Sequence, residues 1–169
     1  MIIKTIKVGY LETNCYVLIK EKNALIIDPG DEYNKIYEYT KNLNIEAILI
    51  THYHFDHVGE LDKFQNIKII DYNSEEKQYQ IGKFKFEIIK TPGHTEDSIS
   101  FYFKEENVMF VGDFVFENTI GRTDLETGNM KNMNISIKKL KKYPIETILY
   151  PGHGNSTTLE KEIKNNPFF

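Results

Sequence analysis

The chain has 169 residues, a length that suits one domain with a sizeable core and is too short for two well-filled domains. Charged residues make up 27% of the sequence and the formal net charge is −4, which excludes a disordered, highly charged tail and disfavours binding to nucleic acid. The single cysteine, Cys15, excludes an internal disulfide and a cysteine-based zinc cluster. It lies in an apolar segment, so we expect a small core residue.

The N-terminal segment has neither the apolar stretch nor the small-residue cleavage site of a signal peptide. No segment approaches the roughly 18 consecutive apolar residues that a membrane span requires. A lone cysteine also fits a reducing compartment. We therefore expect a cytoplasmic protein with no membrane partner.

Short apolar segments rich in Ile, Val, Phe and Tyr recur along the chain and predict strands. In chain order the predicted strands are residues 2–8, 15–19, 24–27, 47–50, 67–70, 84–89, 99–103, 108–111 and 147–150. Helical spacing of apolar residues predicts helices at 32–43, 130–142 and 158–165. Because strands dominate and helices punctuate them, we expect one α/β or α+β domain over residues 1–169, with helices covering sheets.

Four of the predicted strands end in a polar cluster that contains potential metal ligands. All five histidines of the chain belong to these clusters, so none is left for another role. The candidate ligands are His52, His54, Asp56, His57, His94, Asp113 and His153. Loops at strand ends are where sheet proteins collect functional groups, and the neighbouring Gly and Pro residues permit the sharp turns that aim side chains.

These candidate ligands are too numerous for one metal ion and suit two. In an extended segment His52 and His54 point the same way, so their rings can share one ion. The predicted first site consists of His52, His54 and His94. The predicted second site consists of Asp56, His57 and His153, with Asp113 and a hydroxide bridging the two ions. Nitrogen and oxygen donors favour two divalent ions, zinc first, with iron or manganese as alternatives.

At these residues the sequence resembles the metallo-β-lactamase fold superfamily. The resemblance is carried by T-H-Y-H-F-D-H (51–57), T-P-G-H-T (91–95), V-G-D (111–113) and P-G-H-G (151–154). It implies an α+β fold of αββα type, a four-layer sandwich of two mixed β-sheets flanked by helices. The motif I-G-R-T-D (120–124) is similar to the glyoxalase II-like branch, the hydroxyacylglutathione hydrolases and their short relatives.

The resemblance implies an enzyme that hydrolyses a small-molecule substrate, with a thioester first and other esters or lactones as alternatives. The metal-bridging hydroxide would attack the carbonyl, and Asp56 would have a catalytic role because it orients that hydroxide as well as binding metal. A thioester fits because a thiolate leaves readily, and we identify no general acid in the sequence. Tyr53 points away from the ligands in an extended segment and is expected to pack.

Four further residues are assigned to support of the ligands or to substrate: Asp28, Thr51, Arg122 and Asp124. Asp28 and Thr51 are expected to hold ligand imidazoles in the right tautomer, with a plain turn role as the alternative for Asp28. Arg122, the only arginine, is expected to form a bidentate ion pair with a carboxylate such as Asp124 and to fix the loop of Asp113. The alternative for Arg122 is contact with a substrate carboxylate.

The chain departs from its longer relatives in ways that predict an open, shallow site. Only a short connection precedes residue 84, and the sequence lacks the C-terminal helical domain that holds glutathione in hydroxyacylglutathione hydrolases. Glu96 and Asp97 add negative charge beside His94. These departures disfavour glutathione thioesters.

Two other function classes remain open at this point. One is an oxidoreductase resembling the persulfide dioxygenases, which bind one iron through positions matching His52, His94 and Asp113. The other is a metal-binding module without catalysis. The substrate and the oligomeric state are left open.

Overall fold

A meander of three antiparallel strands begins the chain in the computed structural model, which describes residues 1–169. The first sheet and its helices are, in chain order, β1 (Ile2–Val8), β2 (Thr13–Lys20), β3 (Asn23–Ile27), α1 (Tyr33–Thr40), β4 (Asn44–Leu49), α2 (Phe55–Val58), a 3-10 turn (Leu61–Lys63) and β5 (Ile69–Ile70). After the meander, β4 pairs parallel to β3, and β5 pairs parallel to β4. The sheet therefore has the order β1-β2-β3-β4-β5 and is mixed.

The second sheet is built on the same plan. This half of the chain contains β6 (Gln78–Ile81), β7 (Phe84–Lys90), β8 (Ile99–Phe103), β9 (Val108–Gly112), β10 (Val115–Phe116), β11 (Thr119–Ile120), α3 (Met130–Leu140), β12 (Ile148–Pro151), β13 (Thr157–Thr158) and α4 (Leu159–Asn165). The strands β10 and β11 form a separate hairpin. The meander β7-β8-β9 is again followed by a helix and by a strand, β12, that pairs parallel to the last strand of the meander. The sheet order is β13-β12-β9-β8-β7-β6.

The two sheets pack face to face on an aromatic core. Phe84, Phe101 and Phe110 of the second sheet are fully buried against Leu25 and Leu49 of the first. Successive side chains of a strand point to opposite faces, so the neighbouring residues pack outward against helices. Burial of this apolar surface, at roughly 25 cal/mol per Å², is what holds the sheets together.

Helices cover the outer face of each sheet and complete four layers. On the first sheet, Ile48 packs outward in a buried cluster with Ile36 of α1. On the second, Met133 and Ile137 of α3 pack with Leu159 of α4. The predicted αββα sandwich is therefore confirmed. None of the helices is both long enough and apolar enough to cross a bilayer.

All nine predicted strands and three predicted helices are present, with ends shifted by a few residues. Six short elements were not predicted: α2, the 3-10 turn, β6, β10, β11 and β13. Segments of two to four residues are too short to show a period, and Gln78–Ile81 is half polar because it lies at the edge of its sheet. Because β9 and β12 are parallel neighbours, their C-terminal ends lie at the same edge of the second sheet.

Candidate metal centre

Loops that follow four strands bring all seven predicted ligands together. They are His52, His54, Asp56 and His57 after β4, His94 after β7, Asp113 after β9 and His153 after β12. Within the first loop, the chain is extended at His54 and then turns into α2, whose single turn carries Asp56 and His57. This turn separates the two pairs of side chains, so one loop supplies ligands to two adjacent clusters.

The first cluster is formed by His52, His54 and His94. The Nδ1 atom of His54 lies 3.1 Å from Nε2 of His52 and 3.0 Å from Nε2 of His94. His52 and His94 are buried, and His54 is half-buried. Nitrogen ligands at about 2.0–2.1 Å from a tetrahedral zinc ion would lie roughly 3.3 Å apart, so this arrangement suits one ion.

The second cluster is formed by Asp56, His57 and His153. The Oδ2 atom of Asp56 lies 3.2 Å from Nε2 of His153 and 3.5 Å from Nε2 of His57. The ligand atoms of the three residues lie within 4.8 Å of one another. The two clusters therefore have the compositions that the sequence predicts for two metal sites.

Asp113 lies between the clusters and faces both. Its Oδ1 is 3.4 Å from Nε2 of His57, while its Oδ2 is 3.6 Å from Nε2 of His94 and 3.5 Å from Nε2 of His153. Each oxygen of one carboxylate is thus directed at a different set of imidazoles. This is the position that a bridging ligand requires.

Hydrogen bonds on the far side of the rings fix which nitrogen faces the centre. Nδ1 of His94 donates to the carbonyl of Arg122 at 2.8 Å, and Nδ1 of His153 donates to the carbonyl of Leu11 at 3.0 Å. A carbonyl only accepts, so each Nδ1 carries the proton and each Nε2 keeps a lone pair in the neutral ring. Both rings therefore present an unprotonated Nε2 to the centre, which is the form in which an imidazole binds a metal ion.

Asp28 and Thr51 hold the rings of His52 and His57 through hydrogen bonds. Asp28 accepts hydrogen bonds from Nδ1 of His57 at 2.9 Å, from the Thr51 hydroxyl at 2.6 Å and from the Thr51 amide at 2.8 Å. Because the Thr51 hydroxyl donates to Asp28, its oxygen accepts from Nδ1 of His52, 3.1 Å away. Asp28 thereby orients His57 directly and His52 through Thr51.

Burial and neighbouring charges shift the pKa values of several residues of the centre. Burial lowers the pKa of His52 well below its usual value, and the other histidines lower it further. Burial also acts to lower the pKa of His57, but Asp28 and Asp113 outweigh it and raise that pKa to about 10. For Asp56, burial acts to raise the pKa, but His153 and His57 outweigh it and hold the pKa well below its usual value.

Two buried atoms of the centre have no hydrogen-bond partner, and they provide a test of whether a metal fits. They are Nε2 of His57 and Oδ1 of Asp113. Leaving such groups unsatisfied costs about 1–3 kcal/mol each, so they indicate a missing ligand. In the first cluster Nδ1 of His54 faces two lone pairs and can donate to only one of them. Divalent metal ions would satisfy all of these atoms, so the residues fit the metals that the sequence predicts.

Two glycines allow the loops to approach this closely. A Cβ atom on Gly152 would lie 2.1 Å from Oδ1 of Asp113 and 2.6 Å from Cε1 of His57. A Cβ atom on Gly30 would lie 1.6 Å from the carbonyl oxygen of Asp56. Neither position has room for a side chain.

Sequence reasoning missed several residues near the N-terminus that position the second cluster. The Thr13 hydroxyl donates to Oδ2 of Asp56 at 2.7 Å. The Asn14 amide donates to the carbonyls of Pro151 and Gly154, both at 3.0 Å, and so holds the loop of His153. These contacts join residues more than 40 positions apart, and no local pattern signals them.

Arg122 and Asp124 form the expected bidentate ion pair, with distances of 2.7 and 2.9 Å. Both side chains are largely exposed, so the pair braces its own loop and makes no contact with Asp113. The link to the centre runs instead through the backbone, where the Arg122 carbonyl accepts from His94. The hydrogen bond from Gly121 to the Phe114 carbonyl, 3.2 Å long, ties this loop back to the turn after Asp113.

Tyr53 was expected to pack, and this prediction is wrong. Its side chain is 43% exposed, and its hydroxyl donates to Asp71 at 2.6 Å. It lines an open groove of about 920 Å³ that begins at His54 and also includes Tyr72. Because side chains alternate along an extended segment, Tyr53 points away from His52 and His54, as the sequence indicates, but that side of the segment faces solvent.

The fold and the site together define an αββα protein whose His/Asp cluster suits a divalent metal site. The chain belongs to the Metallo-beta-lactamase superfamily, whose family model matches residues 8–72 and 68–153. Members of this superfamily are mostly hydrolases. The resemblance stated from the motifs is thereby confirmed.

Two curated relatives align along nearly their whole length. The chain is 34% identical to the probable metallo-hydrolase YqgX of Bacillus subtilis, covering 95% of this chain and 94% of that protein. It is also 34% identical to the hydroxyacylglutathione hydrolase GloC of Haemophilus influenzae, covering 99% of this chain and 98% of that protein.

Solved structures agree with the fold. The BLEG-1 B3 metallo-beta-lactamase is similar with a TM-score of 0.94 at 33% identity, over 99% of both chains. TTHA1623 in a di-iron-bound form has a TM-score of 0.88 at 31% identity, over 98% of this chain and 100% of that one. ETHE1 from Myxococcus xanthus has a TM-score of 0.89 at 26% identity, over 99% of this chain and 84% of that one.

Proposed function

We propose that this protein is a dinuclear metal-dependent hydrolase that cleaves a small thioester. The observation that carries the proposal is the position of Asp113, whose two oxygens face imidazoles of both clusters at 3.4–3.6 Å. A single carboxylate between two ligand sets can act as a bridging ligand when each set holds an ion. We propose zinc as the metal, with iron or manganese as alternatives, because the donors are nitrogen and oxygen.

When bound, a pair of divalent ions lowers the pKa of water to near 7 and polarises a substrate carbonyl. The chain's own residues supply the geometry for this chemistry. Asp28, Thr51 and the carbonyls of Leu11 and Arg122 keep four imidazoles in one tautomer. Asp56, held by the Thr13 hydroxyl, keeps a carboxylate charged at the centre and orients the attacking water.

A thioester is the substrate class that the site supports best. The groove beside His54 is lined by ten residues, and its remaining ionisable groups are carboxylates and tyrosines. A good leaving group is therefore needed, since none of these groups is placed as an obvious acid, and a thiolate leaves without protonation. The relative named hydroxyacylglutathione hydrolase GloC also supports a thioester.

The experiment that tests the proposal combines metal analysis with a substrate screen. Protein loaded with zinc, iron or manganese is assayed on thioesters, lactones, β-lactams and phosphodiesters. We expect about two ions per chain and the highest kcat/KM on a thioester. His153→Ala should bind about one ion and lose at least roughly 100-fold in kcat/KM, whereas Glu146→Gln, on the turn before β12, should match the unchanged protein. Full activity of His153→Ala with one ion would refute the dinuclear mechanism.

A second candidate is a mononuclear-iron oxidoreductase that acts on a persulfide. It is favoured by the resemblance to persulfide dioxygenases at His52, His94 and Asp113, and Nε2 of His94 lies 3.6 Å from Oδ2 of Asp113. One iron per chain, with oxygen consumption on a persulfide and no hydrolysis, would establish this alternative.

A further inference from the structure

The groove beside the metal centre is strongly acidic. Of its ten lining residues, Glu96, Asp97 and Glu126 carry carboxylates, and none is a lysine or arginine. None of the three carboxylates takes part in an ion pair. The groove therefore presents uncompensated negative charge at the mouth of the proposed active site.

Aromatic rings accompany these carboxylates. Tyr53 and Tyr72 line the same groove, each 43% exposed, and their ring centroids are 6.0 Å apart at an angle of 84°. Exposed aromatic rings beside carboxylates are the usual surroundings of a bound ammonium group. Lys90 Nζ donates to the Tyr72 carbonyl and lies 6.0 Å from the centroid of the Tyr72 ring. One positive charge thus stands against three carboxylates.

Hydrogen bonds hold the groove in this shape. The Tyr53 amide donates to Asp97 at 2.9 Å, which joins the loop of His54 to the segment after His94. The Glu96 amide donates to the Thr127 hydroxyl at 3.4 Å, which joins that segment to the opposite wall. The acidic residues therefore belong to a braced surface that is continuous with His54 of the first cluster.

A much smaller cavity of about 170 Å³ lies beside Asp56, and Leu11 and Phe55 are among its other lining residues. A short acyl group fits such a cavity, whereas the longer arm of a substrate needs the groove of about 920 Å³ beside His54. The two cavities therefore lie beside different ligand clusters, one at Asp56 and the other at His54, and can take the two halves of a thioester separately.

Building on the proposed hydrolase function, we infer that this groove binds the thiol arm of the substrate and selects it by charge. Arms with an ammonium group are preferred to uncharged arms, and both are preferred to arms with carboxylates. The specificity residues are Glu96, Asp97 and Glu126. Opposite charges attract and like charges repel across a partly desolvated surface, so a carboxylate-bearing arm such as that of glutathione is disfavoured.

The test uses acetyl thioesters of three thiols, so that the acyl group and the chemistry at the metals are the same throughout. Thiocholine carries a positive charge, N-acetylcysteamine is uncharged, and glutathione is net negative. With zinc-loaded protein we expect kcat/KM to fall in that order, by about tenfold from the first to the last at low salt. The ratio of kcat/KM for the thiocholine ester to kcat/KM for the glutathione ester should fall toward one at about 1 M salt, where the Debye length is about 3 Å.

The double substitution Glu96→Gln and Glu126→Gln should reduce the ratio of kcat/KM for the thiocholine ester to kcat/KM for the glutathione ester by about threefold or more. Glu146→Gln removes one carboxylate from an exposed turn at the opposite end of β12 from His153, and it should leave the ratio as it is. If the unchanged protein hydrolysed the thiocholine and glutathione esters with equal kcat/KM, or preferred the glutathione ester, the inference would be overturned.

Binding of thioethers separates this inference from the proposed function. S-propylthiocholine and S-propylglutathione cannot be hydrolysed, and calorimetry gives their Kd values on zinc-loaded protein. Tighter binding of the thiocholine thioether supports charge selection even if no thioester is cleaved, an outcome that would refute the hydrolase proposal alone. Equal binding, or tighter binding of the glutathione thioether, overturns the charge selection whether or not thioesters are cleaved.

Discussion

At the scale of single residues, Asp28 has the widest influence on the centre. It is buried, with a backbone φ of 51°, in the left-handed region that few residues other than glycine adopt. This conformation costs of order 1 kcal/mol and is retained because the carboxylate accepts from both Thr51 and His57. A plain turn role, the alternative that the sequence left open, does not account for these hydrogen bonds.

Asp28→Asn should therefore weaken metal binding at the second cluster. The new amide group carries two N–H donors. One side of the amide therefore faces either the Thr51 amide or Nδ1 of His57, which are also donors, and the His57 ring loses its fixed tautomer. We expect a loss of about 10–100-fold in metal affinity, measured by competition with a chromogenic chelator. Asp62→Asn, at an exposed position of the 3-10 turn, is the matched control. Unchanged affinity of Asp28→Asn would show that His57 does not depend on Asp28.

Gly152 offers a second test at this scale, because its missing side chain leaves room for Asp113. In Gly152→Ala the new Cβ overlaps Oδ1 of Asp113, so the bridging carboxylate must move. We expect stoichiometric binding of two ions to be lost, with a decrease of about 1–3 kcal/mol in the free energy of unfolding.

Gly154→Ala is the control for this substitution. Its φ of 76° also disfavours a side chain, but no atom lies within 4 Å of the added Cβ. Gly154→Ala should lose stability yet still bind two ions, as measured by elemental analysis after gel filtration. Loss of metal by both variants to the same extent would point to backbone strain instead of contact with Asp113.

At the scale of elements, α3 connects the second sheet to the loop of His94. The Asn129 amide donates to the Gly93 carbonyl at 2.8 Å, and the Ser136 hydroxyl donates to the Pro92 carbonyl at 2.7 Å. A Cβ on Gly93 would lie 2.6 Å from Cα of Met133, so helix and loop are in direct contact. The helix thus supports a ligand loop as well as covering the sheet.

Ile137→Ala should destabilise the protein by about 2–4 kcal/mol, because it removes buried methyl groups of α3 and leaves a cavity over the second sheet. Ile135 lies on the same helix but is 55% exposed, so Ile135→Ala should change the free energy of unfolding by no more than about 0.5 kcal/mol. Urea titration of both variants measures the difference. Equal effects would mean that α3 does not pack through the face described above.

The ligands and the strands could be predicted from the sequence, whereas the arrangement of the ligand loop could not. The ligands could be predicted because the cluster from His52 to His57 is dense and all five histidines follow strands. The strands could be predicted because buried strands are continuous apolar segments. The single turn of α2 has no period to detect, so the separation of the two clusters along one loop was inferred from the number of ligands and from the shared direction of His52 and His54.

Contacts between distant segments were beyond prediction. The carbonyl of Leu11 accepts from His153 across 142 positions, and a backbone carbonyl leaves no trace in sequence. The groove charge was noticed in part, through Glu96 and Asp97, but Glu126 reaches the groove only through the fold. Residue types thus predict chemistry well, whereas their supports depend on tertiary structure.

At the scale of the whole molecule, the centre joins the two sheets. The loop after β4 belongs to the first sheet, and His94, Asp113 and His153 follow strands of the second. Ions bound there would be held from both sides of the sandwich. Metal binding and packing of the sheets should therefore support each other.

Chelation should lower the stability of the protein measurably. A ligand at about 100 times its Kd stabilises the folded state by about 2.7 kcal/mol, which for a chain of this size raises Tm by roughly 5–10 °C. We expect this shift between chelator-treated and zinc-saturated protein in a thermal melt. Calcium should give no shift, since it takes oxygen ligands and these clusters are mostly imidazole. A Tm independent of zinc would contradict the proposed coupling.

The repeated plan of the two sheets, a meander, a helix and a parallel strand, has one more consequence. The exposed connection of residues 71–77 divides the chain into two halves of similar construction, with four candidate ligands in the first and three in the second. Neither half contains either ligand cluster complete, since His94 and His153 come from the second half. If the chain were cut in that connection, the fragments would have to reassociate to bind metal in both clusters, and metal uptake would report their reunion.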